Sequence, residues 1–238
     1  MRARSFFAFF LFIAVISAQT LPQTKSIEDN SDWWSLIGSR DNSLWKKEDR
    51  IRTPASSLGI LGISLLDENF PSTITKKLGP TVDVTRGDAS TGRNQFCYGS
   101  VGSDPKVHLI FEYGEVDNVF YLFSGGRDWN GSRYCKTTKL VTEKTSTPSG
   151  LHLGLTRQEV ESILGKPTLV RTNRIIYVRS VSVKSTPEEL KRARAASPGM
   201  SEKDFLQNYG HYDFSTTIDV RFKDSKLNYL GILQAETY

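Results

Sequence analysis

The chain has 238 residues, with 31 Lys and Arg against 26 Asp and Glu and a formal charge of +5. Removing Arg2 and Arg4 with the leader described next leaves 29 bases (31 − 2) and a charge of +3 (29 − 26). Without a stripe of bases interleaved with aromatics, that excess does not indicate nucleic acid. The apolar content of 38 % is low for a chain packed throughout, so some of it is expected outside any core.

Residues 1–18, MRARSFFAFFLFIAVISA, join two arginines to an unbroken apolar run closed by a small residue. This is the pattern of a cleavable secretory signal, too short for a useful membrane span. Cleavage after Ala18 leaves a mature chain starting at Gln19, expected to be secreted or periplasmic. Residues 19–58 read as an N-terminal arm and linker, polar and interrupted by Pro and Ser. Within it Asp32 can cap a short apolar face of Trp33, Trp34, Leu36 and Ile37, extended to Leu44 and Trp45. Two readings of this tryptophan-rich arm stay open: an anchor that docks into a partner, and an arm that folds back on its own sheet.

The segment 62–81 predicts a helix ending at Leu78-Gly79-Pro80, with Ile74 on its buried face. In the strand-like run 107–123, Val107, Leu109 and Phe111 alternate with other residues, which buries one face of a strand. From Val119 to Phe123 every residue is apolar, so both faces of that strand are apolar. If helices cover one face, Phe120 and Leu122 are expected on the other, as candidate partner contacts; a one-residue slip would exchange the faces. Cys97 and Cys135 are the only cysteines, and in an oxidising compartment they are expected to pair. Asn130-Gly131-Ser132 fits a glycosylation sequon, relevant in a eukaryotic host.

The most informative run is LHLGLTRQEVESILGKPT, residues 151–168. Thr156 can cap the first turn while Glu159 reaches back to the cap backbone. Val160, Ile163 and Leu164 share one helix face, Gly165 closes the helix and Pro167 prevents it from resuming. Strand-like stretches at 174–184 and 212–222 flank an insertion, 185–210. There Ser185 or Thr186 before Pro187 and Glu188-Glu189 starts one helix, Pro198-Gly199 ends it, and Ser201 with Asp204 starts another. Lys191, Arg192 and Arg194, with Lys184, form a candidate acidic-partner site or a solvated face. Residues 107–123 overlay those from 218 at an offset of 111 (218 − 107), bringing Ile218, Val220 and Phe222 onto the earlier strand. The intervening Asp219, Arg221 and Lys223 suit a solvated back face.

The helix motif, its short apolar lead-in at Leu153-Gly154-Leu155 and the following strands resemble SmpA/OmlA (BamE-like) domains and the repeats of the beta-lactamase inhibitor protein. The resemblance implies an α+β fold of two such repeats, each with a helix or helix pair on one face of an antiparallel sheet. Repeat 1 is expected over 59–147 and repeat 2 over 148–238. It implies a non-catalytic module binding another envelope or secreted protein, by inhibition or as an assembly scaffold. With no cysteine after the leader's apolar run, the lipid anchor common among such lipoproteins has no attachment point.

Catalytic readings lack local support. His108, His152 and His211 are isolated and fit no metal spacing, and there is no G-x-S-x-G elbow, P-loop or dinucleotide fingerprint. No cofactor is expected. The alternatives to a binding module are an envelope enzyme or small-ligand carrier with a pocket between the repeats, and a structural domain.

Overall fold

The computed structural model describes residues 51–86, 92–102, 106–114, 117–125 and 134–237. The leader, most of the arm with Trp33, Trp34 and Trp45, and the sequon lie outside them. Four helices stand on a nine-stranded sheet, an α+β fold. The helices are α1 (Phe70–Leu78), α2 (Arg157–Leu164), α3 (Pro187–Ala196) and α4 (Glu202–Tyr209). The strands are β1 (Asp83–Arg86), β2 (Arg93–Gly99), β3 (Val107–Tyr113), β4 (Asp117–Ser124), β5 (Lys136–Thr137), β6 (Leu169–Arg171), β7 (Arg174–Lys184), β8 (His211–Lys223) and β9 (Lys226–Thr237). Their order is β1-β2-β3-β4-β9-β8-β7-β6, antiparallel throughout, with β5 added parallel to β2. Thus α1 precedes β1–β4, α2 precedes β6–β9, and β4 pairs with β9 to make one continuous sheet.

Helix α2 forms for the reasons its sequence carries. The Thr156 hydroxyl accepts from Glu159 N at 3.3 Å, and the Glu159 carboxylate accepts from Thr156 N at 2.7 Å, so two otherwise orphaned donors are satisfied. Val160 and Leu164 are fully buried, and Pro167 is buried just beyond the end. Gly165 closes the helix with φ 92° and ψ −160°, a positive-φ conformation outside the left-handed helical basin. Helix α1 closes alike, Gly79 having φ 81°, but starts differently. Asn69 makes no side-chain cap, and Asp67 instead accepts from Asn69 N at 2.8 Å and from the Thr73 hydroxyl at 2.6 Å.

Both helices bury their apolar stripes on the same face of the sheet. Ile74, Leu78, Val160 and Leu164 share one cluster with Leu109, Phe111, Tyr98, Tyr177, Ile218, Val220 and Ile232, so a single helix-side core runs across both halves. Phe70 meets Phe111 edge-on at 5.8 Å between ring centres. A matching hydrogen bond fixes each helix end: Tyr98 donates to the Gly79 carbonyl at 2.8 Å and Tyr177 to the Gly165 carbonyl at 3.1 Å.

Residues 51–58, expected in the linker, belong to this core. Leu58 is fully buried in a short 3-10 turn, Ala55–Leu58. The segment is tied down by Arg52 N to the Leu164 carbonyl (2.9 Å), the Thr53 hydroxyl to the Ile163 carbonyl (2.9 Å) and Gln234 to the Ala55 carbonyl (3.0 Å). Polar composition alone pointed to a tail; the buried positions are too few and too widely spaced to show as a period.

The insertion is a surface excursion, as its polarity predicts. Helix α3 buries no residue and α4 buries only Phe205. Thr186, not Ser185, is the cap of α3, while the Ser185 hydroxyl donates to the Tyr209 carbonyl at 2.6 Å. Two bases of the candidate acidic-partner site are engaged within the chain: Arg192 pairs with Glu68, and Arg194 pairs with Glu202 and lies over the Phe205 ring at 3.7 Å.

Candidate partner-binding face

The sheet face turned away from α1 and α2 is where the sequence reading needs correction. Phe120 and Leu122, expected there, are fully buried in the helix-side core. Their neighbours Val119, Tyr121 and Phe123 point the other way and join Cys97, Ile110, Tyr229, Leu233 and Ala235 in a second cluster. The β3–β4 pairing sets this facing, since Leu122 lies opposite Leu109 and Phe120 opposite Phe111, whose side chains are in the helix-side core. β8 and β9 shift register between Arg221 and Phe222, where Arg221 faces Tyr229 and Phe222 faces Leu227, leaving Asn228 as the extra residue. The offset of 111 therefore matches the faces of β3 and β8 but not of β4 and β9. There 110 aligns Phe120 with Leu230 (230 − 120) and Leu122 with Ile232 (232 − 122).

A band of rings crosses the middle of this second face. His108 stacks on Phe123 at 5.3 Å between centres, and Tyr229 lies 6.4 Å from both Phe123 and Tyr121. Gly231, opposite Tyr121 in the ladder, makes the room. A Cβ there would stand 3.0 Å from the Tyr229 hydroxyl and 3.3 Å from the Tyr121 ring. The glycine inside an otherwise apolar strand was the available sequence signal for this close approach. Cys135 meets Cys97 on this face, with Cα atoms 4.4 Å apart, as expected for the pair. The Tyr229 hydroxyl is buried without a hydrogen-bond partner among the described residues. Burial raises its pKa well above the ordinary value; the Asp219 carboxylate adds to this, and Arg221 and Arg174 oppose it.

Charge clusters flank the band on each side. In the first half Arg93 pairs with Glu112, and with Asp117 at 2.6 Å, while Gln95 donates to Glu112 at 2.6 Å. Burial works against the Arg93 charge, but the Glu112 and Asp117 carboxylates outweigh it and hold the guanidinium protonated. In the second half Arg174 grips Asp219 through two bonds of 2.8 and 3.0 Å, and Arg221 reaches the same carboxylate at 2.9 Å. Arg221 also lies over the Tyr229 ring at 4.4 Å. Asp219 is thus buried, not solvated as its place in the alternation suggested; of the three back-face residues only Lys223 is exposed. Apart from Arg221 with Asp219, two positions apart, these pairs join residues 17 to 45 positions apart, which no local pattern reveals.

A cleft of about 690 Å³ opens where the two halves meet, lined by Asp67, Glu68, Tyr113, Asp117, Gln234 and Glu236 among others. The Glu236 carboxyl is held above its ordinary pKa by burial first and then by the Glu189 and Glu68 carboxylates.

No family model, curated protein or solved structure matches the chain. Among the described residues no three His, Cys, Asp or Glu side chains gather in a metal-binding group, and no helix is long and apolar enough to cross a membrane.

Proposed function

We propose that the chain is a secreted or periplasmic, non-catalytic protein-binding module of the inhibitor-like or envelope-assembly type, built from two related α+β repeats. The repeat reading is supported by the order helix, short strand and three longer strands in each half, and by the tyrosine that holds each helix-closing glycine. Secretion is supported by the leader pattern and the cysteine pair.

One observation carries the binding reading. A band of Tyr121, Phe123 and Tyr229, framed by ion pairs, lies on the sheet face that neither core helix uses. An apolar, aromatic centre with a charged rim is the composition of a protein interface, and a core needs no such rim. Capturing a partner with the mature chain and mapping cross-links between the two tests this. Links on β4, β9 and the flanking arginines are expected; links confined to the helix side would overturn it.

The cleft between the halves favours a second reading, a carrier of a small cationic ligand held by Glu236, since the other two carboxylates of the lining, Glu68 and Asp117, are paired with Arg192 and Arg93. Calorimetric titration with a polyamine checks it: binding that Glu236→Gln weakens supports the carrier, and no heat sinks it.

A further inference from the structure

The second face is polar at its rim and apolar at its centre, yet it is shut off from solvent. Tyr121 is 1 % exposed, Leu233 7 %, and on β7 Ile176 and Val178 are 6 % and 2 %. None of the residues clustered on this face belongs to α1, α2, α3 or α4. At its β2 side Tyr134 and Cys135 contribute cover, but the β7 side has no such element among the described residues. We propose that residues 19–50 of this same chain occupy the face, with the apolar run Trp33, Trp34, Leu36 and Ile37 seated across the Tyr121, Tyr229 and Leu233 side chains. This deepens the binding reading, on which its functional meaning rests: a partner would have to displace the arm.

Reach and exit point select this occupant. The described chain begins at Ile51, whose carbonyl accepts from Arg179 on β7. The neighbouring Val178 points to the second face. β6 pairs with β7 only at Arg174, Ile175 and Ile176, so beyond them β7 is an outer strand among the described residues, and a chain leaving Ile51 can turn around that edge. Thirty-two residues (50 − 19 + 1) span up to ~105 Å when extended. From β7 to β2 the sheet measures about 24 Å, five strand spacings. The internal stretch 126–133 fails this test. The ten steps from Gly125 to Cys135 cover at most ~36 Å, while passing from β4 out to β7 and back to β2 needs about 38 Å. The remaining stretches outside the described residues are short connections between adjacent strands. The arm also has the needed chemistry, since its apolar residues are bunched at 33–37 and 44–45 and not spread along it.

The test uses the purified mature chain, 19–238, with Thr217 replaced by the photo-cross-linker p-benzoylphenylalanine. Thr217 is half-buried and lies between Val178 and Leu233 in the ladder. Illumination of dilute protein is expected to join position 217 to peptides from 19–50 within one chain. Adducts to 126–133, concentration-dependent adducts to a second copy, or no adduct in a chain that melts normally would each overturn the proposal. Trp33→Ala/Trp34→Ala in the otherwise native chain gives an independent reading. Binding of the dye ANS is expected to rise several-fold, and unchanged binding would count against the arm. Neither measurement includes a partner, so arm adducts without any captured protein would remove the binding reading and leave the arm in place.

Discussion

The two halves of the sheet treat their helix-side faces alike and their second faces differently. On the helix side each buries a helix stripe against alternating strand residues and pins a closing glycine with a tyrosine hydroxyl. On the second face the β1–β4 half is apolar and aromatic and carries the cysteine pair, with its ion pairs enclosed. The β6–β9 half adds Tyr229, Leu233 and Ala235 of β9 to that apolar cluster and beyond them has the small Ile176–Val178 cluster, while its Arg174 and Arg221 open towards solvent around a buried Asp219. The shared face answers to packing, which leaves little freedom. The second face is buried as well, but by different side chains in each half, and there the two halves diverge.

The largest expected break in this contrast comes from removing one acid from each charge cluster. Arg93 is 11 % exposed and Glu112 1 %, so Glu112→Ala leaves a guanidinium that cannot reach water with Asp117 as its remaining acid and takes the acceptor from Gln95, a loss towards the lower end of about 3–5 kcal/mol. Asp219→Ala leaves Arg174 and Arg221 at 26 % and 28 % exposure. Both can swing outward, and the loss should be roughly half as large. Urea unfolding of the two variants compares them, and equal losses would show that the clusters are buried alike. Next in size is the cysteine pair. Reduction, or Cys97→Ser with Cys135→Ser, removes a cross-link between residues 38 apart and should lower stability by about 3–4 kcal/mol. Hydrogen exchange should rise most in β2, β3 and β4; a uniform rise across both halves would mean that the bond acts only on the unfolded chain.

What could be read in advance follows the range of the interactions. The α2 cap was legible because Thr156 and Glu159 are neighbours in the chain and their bonds are local. The same holds for Thr186 with Glu189 in α3. Alternation in β3 and β8 was legible because every second residue is apolar and turns to the helix-side core, although the residues between, such as His108, Glu112 and Asp219, are buried on the other face. The facing of Phe120 and Leu122 was not, because it depends on the β3–β4 register, which sets Leu122 beside Leu109 and Phe120 beside Phe111, and a one-residue slip would exchange the faces without altering composition. The aromatic band could be seen as an excess of apolar residues between Val119 and Phe123, but its partners Tyr229 and Gly231 lie over a hundred positions away. Only the fold brings them together.

The matched tyrosines sharpen the comparison at a smaller scale. Burial raises both phenol pKa values, and the Glu161 carboxylate adds to the rise at Tyr177. Tyr98→Phe and Tyr177→Phe each remove one buried hydrogen bond and should each cost about 1 kcal/mol. If thermal unfolding shows one of them to be silent, the two helix ends are not equivalent. A similar loss, about 1 kcal/mol, is expected for Thr156→Ala. Asn69→Ala should change little, since Asn69 makes no side-chain cap.

The smallest effect separates the two helix starts by pH. The Glu159 carboxylate is held below its ordinary value of 4.5 by the Thr156 backbone N–H first and then by the Thr156 hydroxyl. A carboxyl whose folded pKa is lowered contributes stability that is complete above its unfolded value and is lost as pH falls through the folded one. The capping contribution of Glu159 should therefore persist at neutral pH and fade in acid. Glu159→Gln, which still offers an oxygen to the cap, should remove most of that dependence. Asp67 before α1 is lowered too, by the Thr73 hydroxyl first and the Asn69 backbone next, so Asp67→Asn provides the parallel experiment in the other half. Melting temperatures of the native chain and both variants, compared from about pH 6 to about pH 3, should converge in acid. If the gap between the native chain and Glu159→Gln stays constant over that range, the α2 start is held by the Thr156 hydroxyl alone, and the two helix starts are more alike than their bonding suggests.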